Sequence, residues 1–340
     1  MEIKTADLRK ALSIVKPGLA NKEYIEQTTS FAFMEDRVVT YNDELCIMHP
    51  IEGLGLTGAI QAEALYALLG RIKEDMVKLD VEGNSLSLRA GKVKAEFFFE
   101  HTIKLPLDQD VATVGKWHKI PDNLLRFIKL AIGSCAKSMS FGELTGVHVT
   151  KEGIVESGDT YRYTKCNTSK LAIGSFVMPA NCAEEIVKID PAPTEISEGD
   201  GWIHFKNERG TQISSRVYAD DFPDISKFFI MEGDAFTFPP EATEMIERAE
   251  IFAEQDHVAD ERIKIELSKG KMSMTAEPDQ GRFEEKLRVD YEGEPRRFDM
   301  IPYVLKDALV HKDTKCYIGE NRVKFIGENW AYVGALMITE

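Results

Sequence analysis

Apolar and polar side chains alternate in short runs along the chain, and each run breaks at a turn of Glu, Asp, Lys, Asn or Gly before resuming. The runs are FAFMEDRVVT, VKLDVEGNSLSL, VHVTKEGIVES, WIHFKNERGTQIS, IKIELSKGKMSM and KCYIGENRVKF. Alternation with period two lays one side of a strand on a core, and a polar turn between two such runs predicts a hairpin. Ahead of each hairpin stands a stretch with the 3.6-residue period of a helix: TADLRKALSIVK, QAEALYALLGRI, PDNLLRFIKLAI, PANCAEEIVKI, PEATEMIERAEIF and PYVLKDALVHK. Proline at or near the first turn opens four of the six, and Thr5 is the expected N-cap of the first. In that first stretch Leu8, Ala11, Leu12 and Val15 form an apolar stripe, and in the third Leu124, Phe127, Ile128 and Ala131 do the same.

The unit of helix plus strands therefore occurs six times. The first, third and fifth helical stretches begin about 115 to 120 residues apart, so two units make one period. The expected fold class is α+β: three tandem domains, each with two helices on antiparallel sheets, spanning residues 1–113, 114–233 and 234–340. The pattern lapses at LPLDQDVATVG and again near Glu232 to Thr237. Just before that second lapse, YADDFPDISKFF (218–229) is too apolar for a solvated linker, yet its proline and three aspartates suit neither a helix nor a central strand. Such a loop either packs between domains or forms the wall of a binding site.

Charge then sharpens the picture. With 42 Lys and Arg against 57 Asp and Glu, the 340-residue chain carries a formal charge of -15, and that sum argues against nonspecific nucleic-acid binding. The distribution argues otherwise. Opposite its apolar stripe the first helix displays Arg9, Lys10 and Lys16; the third displays Arg126 and Lys129 one turn apart, with Lys137 beyond. The fifth offers Glu241, Glu244 and Glu247 with only Arg248, and the fourth sets Lys188 beside Glu184 and Glu185. The five cysteines are scattered without a CxxC pair, as expected of reduced, buried thiols. No apolar stretch is long enough for a membrane span and no signal peptide is recognisable, which points to the cytoplasm. HExxH, GxSxG and P-loop spacings are absent from the sequence, so neither catalysis nor a metal or other cofactor is expected.

The three-domain rhythm, with GDTYRYTKCN (158–167), FVMPANCAEEIVKI (176–189), DDFPDISKFF (220–229) and IPYVLKDALV (301–310), resembles the bacterial sliding clamp, the beta subunit of the replicative DNA polymerase III. The resemblance spans the chain and is strongest from about Gly146 onward. It implies a clamp fold, a ring-shaped homodimer around sequence-independent duplex DNA, and a processivity role with the replicative DNA polymerase, the clamp loader and other clamp-motif proteins as partners. For DNA it implies Lys22 of the loop KPGLANK, with Arg9, Lys10, Lys16, Arg126, Lys129, Lys137, Arg248 and Lys306 as further candidates. For ring closure it implies Lys92, Lys94 and Phe97 against Ile251, Phe252, Glu284 and Glu285, although Phe97 and Phe252 suit a core equally well. For a partner-peptide cleft between the second and third domains it implies Leu144, Thr160, Tyr161, Arg162, Tyr163, Pro223, Lys227, Phe228, Tyr303, Val333 and Met337. The chain is short for the family, ends in GALMITE, and carries Tyr161 and Tyr163 where smaller or differently shaped residues are usual. Such departures are expected of a diverged member, whether a cellular copy or one of phage or plasmid type. The alternative is a clamp-fold peptide-binding or regulatory protein that does not encircle DNA.

Overall fold

The structure, a computed structural model, describes residues 1–111, 113–255, 260–277, 281–310 and 315–337. All six expected hairpins form with antiparallel pairing: Ser30–Glu35 with Arg37–Tyr41, Met76–Glu82 with Ser85–Ala90, Gly146–Val149 with Ile154–Gly158, Trp202–Lys206 with Gln212–Arg216, Ile263–Ser268 with Lys271–Ala276, and Lys315–Ile318 with Arg322–Gly327. The helices are α1 (Thr5–Val15), α2 (Ala62–Leu69), α3 (Leu107–Asp110), α4 (Leu124–Ile132), α5 (Ala180–Lys188), α6 (Ala242–Ala253) and α7 (Pro302–Leu309). Six coincide with the periodic stretches. The short α3 falls in LPLDQDVATVG, where a single turn is too brief to show a period. The end of the sixth stretch, residues 311 and 312, and the last three residues of GALMITE lie outside the described residues.

The stripes face inward as their spacing requires. Leu8, Ala11, Leu12 and Val15 of α1 are at most 4% exposed, and Leu124, Phe127, Ile128 and Ala131 of α4 at most 1%. Each large member contributes about 1.5–3 kcal/mol of transfer free energy, far more than the intrinsic propensity of so short a helix. Thr5, however, is not the N-cap of α1. Lys4 holds that position with no side-chain cap. Strand Glu2–Lys4 runs directly into the helix, and its pairing with Met76–Glu82 draws Thr5 along: the Thr5 amide donates to the Asp75 carbonyl at 2.9 Å and its hydroxyl to the Glu74 carbonyl at 2.6 Å. The hydroxyl is thus spent on the bend that leads into the neighbouring strand rather than on the helix terminus.

The chain gathers into two compact units, Met1–Leu125 with Lys170–Asp221, and Arg126–Ser169 with Phe222–Glu340. In the first, an antiparallel sheet runs Leu56–Gln61, Ser30–Glu35, Arg37–Tyr41, Leu45–Pro50, Gln212–Arg216, Trp202–Lys206, Glu195–Glu198, His118–Lys119. The pairing of Leu45–Pro50 with Gln212–Arg216 joins residues far apart in sequence. Tyr41, Trp202, Val39, Leu105 and Leu107 meet in the core at this seam. A four-stranded sheet, Glu2–Lys4, Met76–Glu82, Ser85–Ala90, Val93–Phe98, completes the unit.

The second unit is built on the same plan. Within it, strands run Gly146–Val149, Ile154–Gly158, Arg162–Asn167, Trp330–Ala335, Arg322–Gly327, Lys315–Ile318, Asp234–Phe236, again joining distant segments at one seam, Arg162–Asn167 against Trp330–Ala335. Its four-stranded sheet is Phe283–Arg288, Lys271–Ala276, Ile263–Ser268, Arg296–Met300. All five cysteines are free and buried, and burial pushes the thiols of Cys46, Cys166 and Cys182 up to about 12, so they stay protonated and act as small apolar groups.

Candidate functional site

At the seam of the second unit, strand register sets out a row of side chains. Tyr163 stands opposite Val333 and Lys165 opposite Ala331; across the next pairing, Val333 stands opposite Lys324, Ala335 opposite Arg322 and Ala331 opposite Ile326. Because side chains alternate along a strand, these eight residues share one face. Arg162, Thr164, Cys166, Tyr332, Val323 and Phe325 take the other face and are buried.

The proline-containing loop lies over the first face. Ile225 is buried, Phe222 stacks on His148 with ring centroids 5.1 Å apart, and Ser226–Phe229 forms a 3-10 turn. That turn sets Phe228 flat on Tyr163, with ring centroids 4.4 Å apart and planes 9° from parallel. Two cations hold the loop backbone: Arg322 donates from Nη1 to the Phe228 carbonyl at 3.1 Å, and Lys324 from Nζ to the Phe229 carbonyl at 2.8 Å. Lys227 places its ammonium 5.2 Å from the centroid of the Phe228 ring. Gly158, opposite Tyr163 in the ladder, is required here, because a Cβ would come within 2.1 Å of the tyrosine ring.

Between loop and sheet lies a cavity of about 160 Å³. Of the residues named for a cleft from the sequence, Thr160, Tyr161, Tyr163, Phe228 and Val333 line it, together with Asn321, Arg322 and Ala335, which were not named. Their signal was the alternation on either side of the turn GENR, but it has meaning only once Arg322–Gly327 is known to pair with Trp330–Ala335. The remaining expected residues fall outside the lining. Pro223 and Lys227 are exposed on the loop; Leu144 is half-buried in the 3-10 segment Met139–Thr145; Met337 bridges to Asp299, its amide 2.8 Å from that carbonyl.

Arg162 and Tyr303 support the site from beneath. Arg162 is 3% exposed; its Nε donates to Asp159 at 3.0 Å, another guanidinium nitrogen bonds Asp307, and its plane lies 4.5 Å from the Tyr303 ring centroid. The Tyr303 hydroxyl donates to Asp159 at 3.4 Å. Asp159 also accepts the backbone amides of Tyr161 and Arg162, both at 3.1 Å. That turn holds Thr160 at φ +79°, a left-handed conformation strained for a β-branched residue and set beside the cavity. Burial raises the Asp159 pKa above the ordinary carboxylate value, opposed by Arg162 and the two amides. Burial, then the Asp159 charge, raises those of Tyr163 and Tyr303, so both phenols remain neutral donors.

The basic residues divide by element. Arg9 and Lys10 of α1, Lys16 and Lys22 just after it, Arg126 and Lys129 of α4, and Lys137 are all exposed and have no ion-pair partner among the described residues. Lys16 rests over the Tyr66 ring, 4.6 Å from its centroid. On α6, by contrast, Arg248 is bonded to Glu285 at 2.8 Å and lies 3.6 Å from Glu244, and Lys306 of α7 is bonded to Glu250. Lys188 of α5 is likewise paired with Glu185 and Glu184.

Among the described residues, each four-stranded sheet has an edge strand with a strand on one side only, Val93–Phe98 in one unit and Phe283–Arg288 in the other. Unpaired edge amides and carbonyls are templates for another strand. Phe97 is half-buried, whereas its neighbour Phe98, overlooked in the sequence, is 68% exposed. Beside the second edge, Ile251 is 71% exposed, and Phe252, 36% exposed, stacks on Phe283 at 5.8 Å. The charges expected to flank these anchors are engaged within the chain: Lys94 with Glu96 at 2.9 Å, Glu284 with Lys286, and Glu285 with Arg248. Lys92 is exposed in its turn.

No protein-family model matches the sequence, and neither does any curated protein sequence. Solved structures do match, over essentially the full length of both chains. The beta chain of DNA polymerase III from Streptococcus pneumoniae TIGR4 is 16% identical, with 99% of each chain covered and a TM-score of 0.86. The DNA polymerase sliding clamp of Bacillus subtilis is 18% identical, covering 100% of this chain and 99% of that one at a TM-score of 0.85. The sliding clamp of Pseudomonas aeruginosa bound to griselimycin is 16% identical, with the same coverage and a TM-score of 0.85. The chain therefore has the sliding-clamp fold from end to end.

Proposed function

We propose that this protein is a DNA sliding clamp, a cytoplasmic, non-enzymatic processivity factor that closes as a homodimeric ring around duplex DNA and tethers a replicative DNA polymerase through a peptide cleft. The observation that carries the reading is the full-length match to clamps, TM-scores 0.82 to 0.86. The likeness covers 99% or more of this chain, and the exposed cations of α1 and α4 in a chain of net charge -15 supply what that architecture needs at DNA. Contacts to phosphate carry no sequence information, so such a ring slides while staying linked.

Three further elements belong to the same reading. The chain divides into three clamp domains, 1–113, 114–233 and 234–340. The edge strands Val93–Phe98 and Phe283–Arg288, with Phe97, Phe98, Ile251 and Phe252 as apolar anchors, close the ring between two copies. The cavity beneath Phe228 receives a short partner peptide, from the polymerase, a clamp loader or another clamp-motif protein.

A second reading, a peptide-binding or regulatory protein that does not encircle DNA, is favoured by one observation: the cations of α5, α6 and α7 are already paired with carboxylates. Topology separates the two. Protein loaded on nicked circular DNA is released on linearisation if it encircles the duplex. Retention on the cut DNA sinks the ring, and no retention on the circle favours the second reading.

A further inference from the structure

The face under Phe228 departs from a purely apolar groove in two respects. First, its space is taken up by the protein itself. Tyr163 and Phe228 lie flat on each other, and what remains, about 160 Å³, is the size of a cavity that admits one benzene-sized group. Second, the face is cationic: Arg322 and Lys324 stand on the strand beside Val333, Lys165 stands two residues after Tyr163, and Lys227 lies on the loop above. None of Arg322, Lys324 and Lys165 has an ion-pair partner among the described residues. The nearby carboxylate of Asp224, fully exposed, is held below its ordinary pKa first by the Ser226 amide and hydroxyl, with weaker help from Lys165 and Lys227.

We propose that the Tyr163–Phe228 stack restricts this cleft to a single ring-sized anchor, and that Arg322, Lys324 and Lys165 select peptides carrying carboxylates next to that anchor. The partner chemistry is an acidic peptide with one aromatic residue. This inference rests on the reading of the cavity as a peptide site and states what that site prefers. Phe228 is the size-determining residue: removing its ring opens the face over Tyr163 and Val333, where a second apolar side chain can then lie. The loop stays in place because it is anchored independently, by buried Ile225, by Phe222 on His148, and by the two cations on its carbonyls.

Fluorescence anisotropy with three labelled peptides tests this on the full chain: Gly-Asp-Phe-Asp-Gly, its amide counterpart Gly-Asn-Phe-Asn-Gly, and Gln-Leu-Ser-Leu-Phe. The acidic peptide is expected to bind about tenfold tighter than its amide counterpart, as two partly screened ion pairs allow, and tighter than the two-anchor peptide. Lys165→Gln, which leaves the loop contacts intact, narrows the acid-to-amide ratio. Phe228→Ala reverses the preference and strengthens the two-anchor peptide about tenfold. Equal binding of acid and amide peptides, or tighter binding of Gln-Leu-Ser-Leu-Phe to the unmodified protein, overturns the inference and leaves the peptide site standing. If no peptide binds a protein that melts cooperatively, the peptide site and the inference fall together.

Discussion

At the scale of single residues, the cleft depends on a charge that never touches its cavity. Arg162 is buried between Asp159, Asp307 and the Tyr303 ring, and through Asp159 it fixes the strained turn at Thr160. Replacing it by Met preserves much of the volume but leaves Asp159 without its cation. The expected cost is about 3–5 kcal/mol at neutral pH, the range for breaking one partner out of a buried pair. The sign with pH follows from the carboxylate. Asp159 is already raised by burial, and loss of Arg162 raises it further, so the folded variant binds a proton more readily than the unfolded chain. The variant should regain stability as pH falls from 7.5 to 5, measured by urea midpoints; a loss that stays constant over that range means Arg162 acts only through packing. The stretch GDTYR was conspicuous in the sequence, yet the division between Arg162 below and Tyr163 above was not. A one-residue step along a strand moves a side chain to the opposite face, and only the register shows which face is open.

Among elements, α1 and α4 carry free cations while α6 and α7 carry cancelled ones. All four displayed basic residues in the sequence, because a helical period assigns charges to the outer face without showing what lies beside them. The partner of Arg248 is Glu285, on a strand thirty-seven residues away. This difference is measurable with a short linear duplex. Charge removal at Arg126 and Lys129 together, as Gln, should weaken binding and make the dependence of log K on log salt shallower by about 2, one unit for each phosphate that is no longer neutralised. Arg248→Gln should leave that slope unchanged. An equal effect from both variants would show that the ion pair at Arg248 opens on DNA, and no effect from Arg126 and Lys129 would remove α4 from the DNA face. The expected N-cap at Thr5 failed for a related reason: a cap residue is chosen by local preference, but the Glu74 carbonyl, in the bend before the adjoining strand, claimed its hydroxyl.

For the molecule as a whole, the prediction concerns assembly. Phe252→Glu sets a charge beside Phe283 and the edge strand Phe283–Arg288. If that edge closes the ring, the variant should run as a monomer by light scattering where the parent is a dimer, with helix content unchanged by circular dichroism. A parent and variant of equal mass would reject the contact. The aromatic and its neighbours were visible in RAEIF and FEEKL, but whether Phe252 belonged to a core or a surface was not, since it falls at the border of the buried stripe Met245, Ile246, Ala249 and Ala253, where a helical period fits either side.

The sequence by itself determined the local units, six hairpins and six of the helices, because those depend on side-chain periodicity over a few turns. Only the tertiary structure decided which strands zip together across distant segments, Leu45–Pro50 to Gln212–Arg216 and Arg162–Asn167 to Trp330–Ala335. Those pairings are backbone hydrogen bonds, blind to side-chain identity, and the second of them sets Ala335 and, through the adjoining strand, Arg322 near Tyr163, on which Phe228 stacks, and so fixes the size and charge of the cleft.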